Sequence, residues 1–151
     1  MALQIGDTIP HFMATDTNGN TFDSHDIIGK KPVVIYFYPK DNTPGCTAQA
    51  CSFRDQYEDF KDLGAEVIGI SSDSVNSHDK FAKKYRLPFL LLSDHDKKIR
   101  TAFGVPSGLF GILPGRVTYV AGRDGIIRMI FDSIQATKHI PKALEAVKNL
   151  V

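Results

Sequence analysis

Two cysteines, Cys46 and Cys51, are the residues of this chain whose type and spacing are best suited to chemistry. Cys46 follows Thr43 and Pro44, which are typical of a helix start, because threonine is a good N-cap and proline suits the first helical position. Cys46 is then the third helical residue, among unpaired amides at the positive end of the helix dipole. That position favours the thiolate, which is the nucleophilic form of cysteine.

The spacing of the two cysteines predicts a reversible crosslink. On an intact helix Cys51 would lie about 140° round from Cys46 and roughly 7.5 Å along the axis. The two Cα atoms would be roughly 8–9 Å apart, beyond the disulfide limit of about 7 Å. A disulfide between them therefore requires the first turns of the helix to unwind. The alternative for either cysteine is a small buried core residue, and for Cys51 taken alone both interpretations stay open.

The elements that position these cysteines alternate between strands and helices. An apolar run at residues 33–38 has the length of a central strand buried on both faces, and Phe53, Tyr57 and Phe60 form one stripe on a long helix over residues 43–63. Further strands are predicted at residues 12–16, 21–23, 66–71, 89–92, 116–121 and 126–131, and further helices at 77–85, 97–103 and 139–150. This alternation implies one α/β domain over residues 1–151, in three layers with helices on both sheet faces.

Composition and charge exclude several classes of protein. The chain has 151 residues, of which 42% are hydrophobic and 23% charged, so a disordered chain is not expected. A net charge of +1 gives no electrostatic basis for binding nucleic acid or a membrane surface. No apolar run reaches the length of a membrane span, and residues 1–7 lack the features of a signal peptide. We expect a cytoplasmic protein, with an organelle left open if a transit peptide has been removed.

The motif around the cysteines resembles a known family. Residues 39–47 carry the pattern Pro-x-x-x-Thr-x-x-Cys, and the pair Cys46-x-x-x-x-Cys51 is followed by Ser-Phe-Arg-Asp. The similarity continues through residues 67–74, 113–120 and 138–140. The sequence resembles the peroxiredoxins, and among them the bacterioferritin comigratory protein group, also called peroxiredoxin Q. This resemblance implies a thioredoxin-like fold with an N-terminal β-hairpin extension.

The resemblance also implies a role for each matched residue. Cys46 would be the peroxidatic cysteine, which attacks a hydroperoxide and becomes a sulfenic acid, and Cys51 the resolving cysteine. Arg116 would stabilise the thiolate and bind the peroxide, Thr43 would align the sulfur with it, and Pro39 would shield the sulfur. Substrates would be hydrogen peroxide and organic hydroperoxides, with thioredoxin or a similar dithiol as reductant and a monomer as the working unit.

Two positions depart from the family pattern. Gln49 stands where glutamate is common, and Gly122 stands where aspartate is common. We expect neither residue to touch the groups around the reacting sulfur. Gln49 removes a negative charge near Cys51, which bears on the rate and pH dependence of disulfide formation.

The remaining candidate residues predict no metal or cofactor site. The five histidines, His11, His25, His78, His95 and His139, show no recognised metal-binding spacing, and we expect them at the surface or at helix ends. The apolar loop at residues 106–113 is expected to pack against its own domain. The alternatives are a wall of the peroxide pocket or a docking patch for the reductant.

Two rival functions share the geometry of a switchable cysteine pair. A thiol–disulfide oxidoreductase would use Cys-x-x-Cys, whose cysteines can bond without unwinding, and this spacing disfavours it. A non-enzymatic redox switch would bind a partner on oxidation with little turnover, and the sequence alone leaves that interpretation open.

Overall fold

The computed structural model describes residues 2–105, 107–108 and 113–150. The strands are β1 (Met13–Thr15), β2 (Thr21–Asp23), β3 (Val33–Phe37), β4 (Glu66–Ser71), β5 (Leu90–Ser93), β6 (Ser107–Gly108), β7 (Leu113–Pro114), β8 (Val117–Ala121) and β9 (Ile127–Asp132). The α-helices are α1 (Pro44–Asp55), α2 (Tyr57–Asp62), α3 (Val75–Tyr85), α4 (Lys98–Phe103) and α5 (His139–Lys148). These elements confirm the alternation that the sequence predicts.

The main sheet has seven strands in the order β2-β1-β5-β4-β3-β8-β9. Strands β3, β4 and β5 run parallel, while β8 lies antiparallel to β3 and β9 antiparallel to β8. All five residues of β3 are buried, which confirms the prediction of a central strand. At its C-terminal end Phe37 is paired with Ile70 on one side and with Val117 on the other. The start of β8 therefore lies beside the end of β3, at the edge where α1 begins.

The core has two parts, one on each face of the sheet. Side chains from α1, α2, α3 and α5 pack on one face together with alternate residues of β3, including Val34 and Tyr36. Helix α4 packs on the other face together with the N-terminal segment and the intervening residues of β3. The Tyr36 ring stacks on the Phe53 ring of α1, with centroids 4.6 Å apart. Helices therefore cover both faces of an open mixed sheet, as the predicted three-layer thioredoxin-like fold requires.

The N-terminal hairpin also follows the prediction. Strands β1 and β2 pair antiparallel around a turn that contains Gly19, whose φ of +81° favours glycine. The hairpin joins the main sheet through a single registered pair, Thr15 with Ser93 of β5. A second turn links β8 to β9, where Gly122 accepts a backbone hydrogen bond from Gly125 at 2.9 Å.

The prediction of one unbroken helix over residues 43–63 is wrong. The helix is interrupted at Gln56, whose φ of −102° and ψ of 4° end α1 and precede α2. The predicted apolar stripe is nevertheless buried on both pieces. After the break, the Tyr57 hydroxyl donates to Glu66 Oε1 at 2.6 Å, so a tertiary contact to β4 accompanies the change of direction. Helix periodicity alone carries no sign of such a contact.

Two further expectations concern the apolar loop and the possibility of a membrane span. The apolar loop at residues 106–113 lies mostly outside the described residues, apart from the backbone pairing of β6 with β7, so its interpretations stay open. Within the described ranges, none of the helices combines the length and apolarity needed to span a bilayer.

Candidate active site

Cys46 lies at the N-terminus of α1, as the sequence predicts. Thr43 has the extended backbone of an N-cap residue, with φ −92° and ψ 151°, and Pro44 begins the helix. Cys46 is therefore the third helical residue. The Thr43 side chain does not cap the helix, because its hydroxyl donates instead to the carbonyl of Lys40 at 2.8 Å. The first-turn amides near Cys46 therefore donate no hydrogen bond to the Thr43 side chain, and the positive end of the helix dipole lies near the sulfur.

Arg116 reaches Cys46 from the other side. This residue immediately precedes β8, and the antiparallel register places it beside the end of β3. Its Nη2 donates to Cys46 Sγ at 3.3 Å, although the two residues are 70 positions apart in the chain. A Cβ at position 45 would lie 3.1 Å from this same Nη2, so glycine at position 45 leaves room for the guanidinium. The structure therefore brings together a cysteine at a helix start and a guanidinium on its sulfur, as the resemblance implies.

Gln49 belongs to this arrangement, which corrects the sequence-based expectation. Its side-chain Oε1 accepts a hydrogen bond from Arg116 Nη1, so the substitution for glutamate does touch the groups around Cys46. Gln49 is fully buried, and its Nε2 has no hydrogen-bond partner among the described residues. Its position three residues after Cys46 places both side chains on one face of α1, and that spacing was the available signal.

The two cysteines are both free thiols on the same continuous helix. Cys46 is 1% exposed and Cys51 is half-buried. Because Cys51 lies five positions after Cys46 on an intact helix, a disulfide requires the unwinding that the sequence predicts. Pro39 is half-buried in the segment that joins β3 to α1.

A buried tyrosine on β3 lies under the same helix. The Tyr36 hydroxyl has no hydrogen-bond partner among the described residues, and the side chain is 1% exposed. Burial raises the pKa of Tyr36 well above its ordinary value, and negative charge on Cys46 and Asp41 adds to the rise. Tyr36 therefore stays protonated and neutral beneath α1.

A network of buried polar side chains holds the segment before α1. Asp41 Oδ1 accepts from the Tyr38 hydroxyl at 2.6 Å, and Oδ2 accepts from Ser77 Oγ at 2.8 Å and from His78 Nδ1 at 2.6 Å. The side chains of Asp41 and His78 are each 1% exposed. We call Tyr38, Asp41, Ser77 and His78 the loop anchor.

Two of the five histidines are fully buried. His139 lies at a helix end, as expected, whereas His78 lies inside α3, so the expectation is wrong for His78. His78 is part of the loop anchor. His139 begins α5, where its Nε2 lies 2.7 Å from the Ser133 carbonyl and its Nδ1 lies 2.7 Å from Thr118 Oγ1. Burial lowers the pKa of His139, and the nearby charge of Arg116 lowers it further. These pairings depend on tertiary contacts that sequence spacing does not reveal.

One exposed cluster has donor atoms of the kind that bind metals. The ligand atoms of His11, Asp23 and His25 lie within 4.8 Å of one another, and His11 Nε2 is 2.8 Å from Asp23 Oδ1. The two imidazole rings stack with centroids 4.0 Å apart and planes 18° apart. The spacing of these residues in the sequence gives no sign of the cluster.

Sequence relatives of this chain support the class of protein that the geometry of the cysteine site indicates. The chain matches the AhpC/TSA family model over residues 5–130. Peroxiredoxin Q of Triticum aestivum is 54% identical over 146 residues, which are 96% of this chain and 67% of the relative. Peroxiredoxin Q of Sedum lineare is 53% identical over 146 residues, which are 96% of this chain and 78% of the relative. Both relatives are named as chloroplastic proteins.

Solved structures agree with the sequence relatives. The peroxidoxin BcpB of Mycobacterium tuberculosis superposes with a TM-score of 0.91 at 35% identity, over 99% of each chain. The bacterioferritin comigratory protein of Xanthomonas campestris superposes with a TM-score of 0.83 at 31% identity, over 91% of this chain and 90% of that one. The fold and the cysteine site thus define a thiol peroxidase with a thioredoxin-like fold. The chain belongs to the AhpC/TSA family and, within it, to the peroxiredoxin Q group.

Proposed function

We propose that this peroxiredoxin reduces hydrogen peroxide and organic hydroperoxides through a sulfenic acid on Cys46 and an intramolecular disulfide between Cys46 and Cys51. The observation that carries the proposal is the contact between Arg116 and Cys46 at the start of α1. The Xanthomonas campestris relative is described for its alkyl peroxide reduction activity, which supports organic hydroperoxides as substrates.

The contacts of Arg116 account for the first chemical step. The Cys46 thiolate attacks one peroxide oxygen, the O–O bond breaks, and the other oxygen leaves as an alcohol or water after taking a proton. Negative charge moves from sulfur to oxygen during this step, and a fixed guanidinium beside the sulfur stabilises both locations. Gln49 accepts a hydrogen bond from Nη1 of the guanidinium, so the Arg116 side chain is already held in position before the substrate binds.

Thr43 and Pro39 complete the proposed site in supporting roles. Rotation of the Thr43 hydroxyl away from the Lys40 carbonyl would let it bond the sulfur or the peroxide. Pro39 carries no backbone N–H, and it would screen the sulfenic acid from water and further oxidant. Neither side chain needs a cofactor or metal for these roles.

The second step closes the disulfide and requires a reductant to reopen it. The Cys51 thiolate attacks the sulfenic sulfur, the S–S bond forms, and the S–O bond breaks as the leaving oxygen takes a proton and departs as water. Reductants of the thioredoxin type serve this family, and we propose thioredoxin or a similar dithiol for this chain. We further propose that the chain works as a monomeric single domain over residues 1–151 and binds no nucleic acid.

Location is proposed on two grounds that point to different compartments. The sequence favours the cytoplasm, while the names of the plant relatives favour a chloroplast. Fluorescence imaging of the tagged full-length protein in its own cells decides between the two.

The test combines two cysteine variants with mass spectrometry after one equivalent of peroxide and a sulfenic-acid trap. The unmodified protein should give a 46–51 crosslink. Cys51→Ser should give a trapped sulfenic acid without recycling by thioredoxin, and Cys46→Ser should give neither product. Full turnover by Cys46→Ser would refute the assignment, as would efficient reduction of insulin disulfides without peroxide turnover.

A further inference from the structure

Among the described residues, the hydrogen bonds that tie the segment joining β3 to α1 to other elements lie at its N-terminal end. Tyr38 N donates to the Ile70 carbonyl of β4 at 3.1 Å, and Asp41 N donates to Asp73 Oδ2 at 2.9 Å. Asp73 Oδ2 also accepts from Ser71 Oγ at 2.6 Å, which ties that carboxylate to the end of β4. As far as Asp41, the segment is therefore fixed to the rigid sheet.

The Asp41 carboxylate extends this attachment to two more elements. Ser77 and His78 of α3 both bond its Oδ2, and the other ring nitrogen of His78 lies 3.0 Å from the Leu92 carbonyl of β5. Both ring nitrogens of His78 thus lie within hydrogen-bond distance of an oxygen, so the ring bridges the Asp41 carboxylate and β5. Burial and the Asp41 charge raise the pKa of Tyr38 well above its ordinary value, so its hydroxyl remains a donor to the same carboxylate.

Within the described part of the chain, no hydrogen bond joins the backbone of residues 42–44 to the sheet or to α3. Asn42 adopts the left-handed conformation with φ +61°, and Pro44 has no N–H to donate. The Thr43 hydroxyl bonds the Lys40 carbonyl, which belongs to the same segment. Cys46 lies only five residues after Asp41, so the boundary between the fixed and the unattached backbone lies just before the reacting cysteine.

We propose that Asp41 and His78 are positioning residues that fix the N-terminal end of the segment that unwinds when the disulfide forms. This inference rests on the proposed function. Attack on peroxide requires the folded helix, with Cys46 held against Arg116. Attack of Cys51 on the sulfenic sulfur requires the unwound helix. A fixed end at Asp41 favours the folded arrangement, so weakening it changes the rates of the two steps in opposite directions.

The variant Asp41→Asn tests this, since it keeps the size of the side chain and removes its charge. We expect oxidation of Cys46 by peroxide to slow by about threefold to tenfold and the subsequent crosslink to form faster by a similar factor, as weakening of one charged hydrogen bond allows. The fraction of Cys46 converted to sulfinic acid by excess peroxide should fall, because that reaction competes with crosslinking. Quenched-flow mass spectrometry measures the sulfenic, crosslinked and sulfinic forms separately.

Further variants separate a positioning role from simple loss of stability. Ser77→Ala removes a neutral donor from the same carboxylate and should give smaller changes in the same directions, even if Asp41→Asn fails to fold. Ile127→Ala makes a cavity in the core on the opposite face of the sheet, and it should leave both rates unchanged while lowering stability.

Two different failures have different meanings. Changes of both rates in the same direction for Asp41→Asn and Ser77→Ala, or no change in either rate, would overturn the positioning role. Absence of peroxide reduction or of a 46–51 crosslink in the unmodified protein would instead overturn the proposed function.

Discussion

Replacing Arg116 with methionine should slow the reaction of Cys46 with peroxide far more than it affects stability. The substitution keeps a long side chain and removes the guanidinium that donates to Cys46 Sγ at 3.3 Å. A hydrogen bond to a charged group contributes about 1.5–3 kcal/mol, which corresponds to about tenfold to a hundredfold in rate. Arg116 is only half-buried, so solvent screening places the expected loss toward the lower part of that range.

The assay must suit a chain that contains no tryptophan, because intrinsic tryptophan fluorescence cannot report the oxidation. Competition for hydrogen peroxide against a peroxidase of known rate gives the second-order constant directly.

Arg128→Met is the matched control for this experiment. Arg128 lies on β9 and pairs with Asp124 at 2.7 Å, with both side chains about half exposed. Exposed ion pairs of this kind contribute at most about 1 kcal/mol to stability, and this pair includes neither cysteine. Its rate constant should equal that of the unmodified protein. If Arg116→Met also reacted at that rate, a role of the guanidinium at Cys46 would be refuted.

Three further outcomes are expected. Gln49→Leu should slow the oxidation of Cys46 by peroxide by about threefold to tenfold, because Arg116 loses its buried acceptor, and Gln49→Glu should keep the rate. Gln49→Leu should not lower the melting temperature, because it also removes the buried Nε2 that has no partner among the described residues. Gly69→Ala should lower the free energy of unfolding by about 1–3 kcal/mol in urea titrations, since its methyl would lie 2.9 Å from the Tyr36 ring. Burial lowers the pKa of His139 in the folded chain, so below pH 6.5 the unfolded chain binds a proton there more readily than the folded chain. The free energy of unfolding should therefore fall as the pH drops through 6.5, by at most about 1.4 kcal/mol per pH unit. His139→Gln should show a smaller slope between pH 7.5 and 5.5, and an equal slope would contradict this.

Much of the site could be predicted from the sequence because it depends on local rules. The apolar run that becomes β3 and the Thr43-Pro44 helix start follow from residue type and order. The position of Cys46 at the helix N-terminus follows from that start. The need for unwinding before a disulfide forms follows from helix geometry and the five-residue spacing alone. The structure confirms β3 and the helix start. They could be predicted because they do not depend on contacts with distant residues.

Other features were missed because they depend on contacts between distant segments. The break at Gln56 interrupts a stripe that the helical period extends without a gap. Gln49 was expected to lie apart from the reacting groups, and it bonds Arg116. His78 was expected at the surface or at a helix end, and it is fully buried inside α3.

By itself the sequence determined the strand and helix order, the family, and a cysteine pair that a single helix holds apart. Only the tertiary structure decided which distant side chains surround that pair. Arg116 reaches Cys46 because β8 pairs with β3 in one particular register, and Asp41 meets His78 because α3 packs against β5. Strand register and helix packing are set by burial across the whole core, so no local stretch of residues contains them.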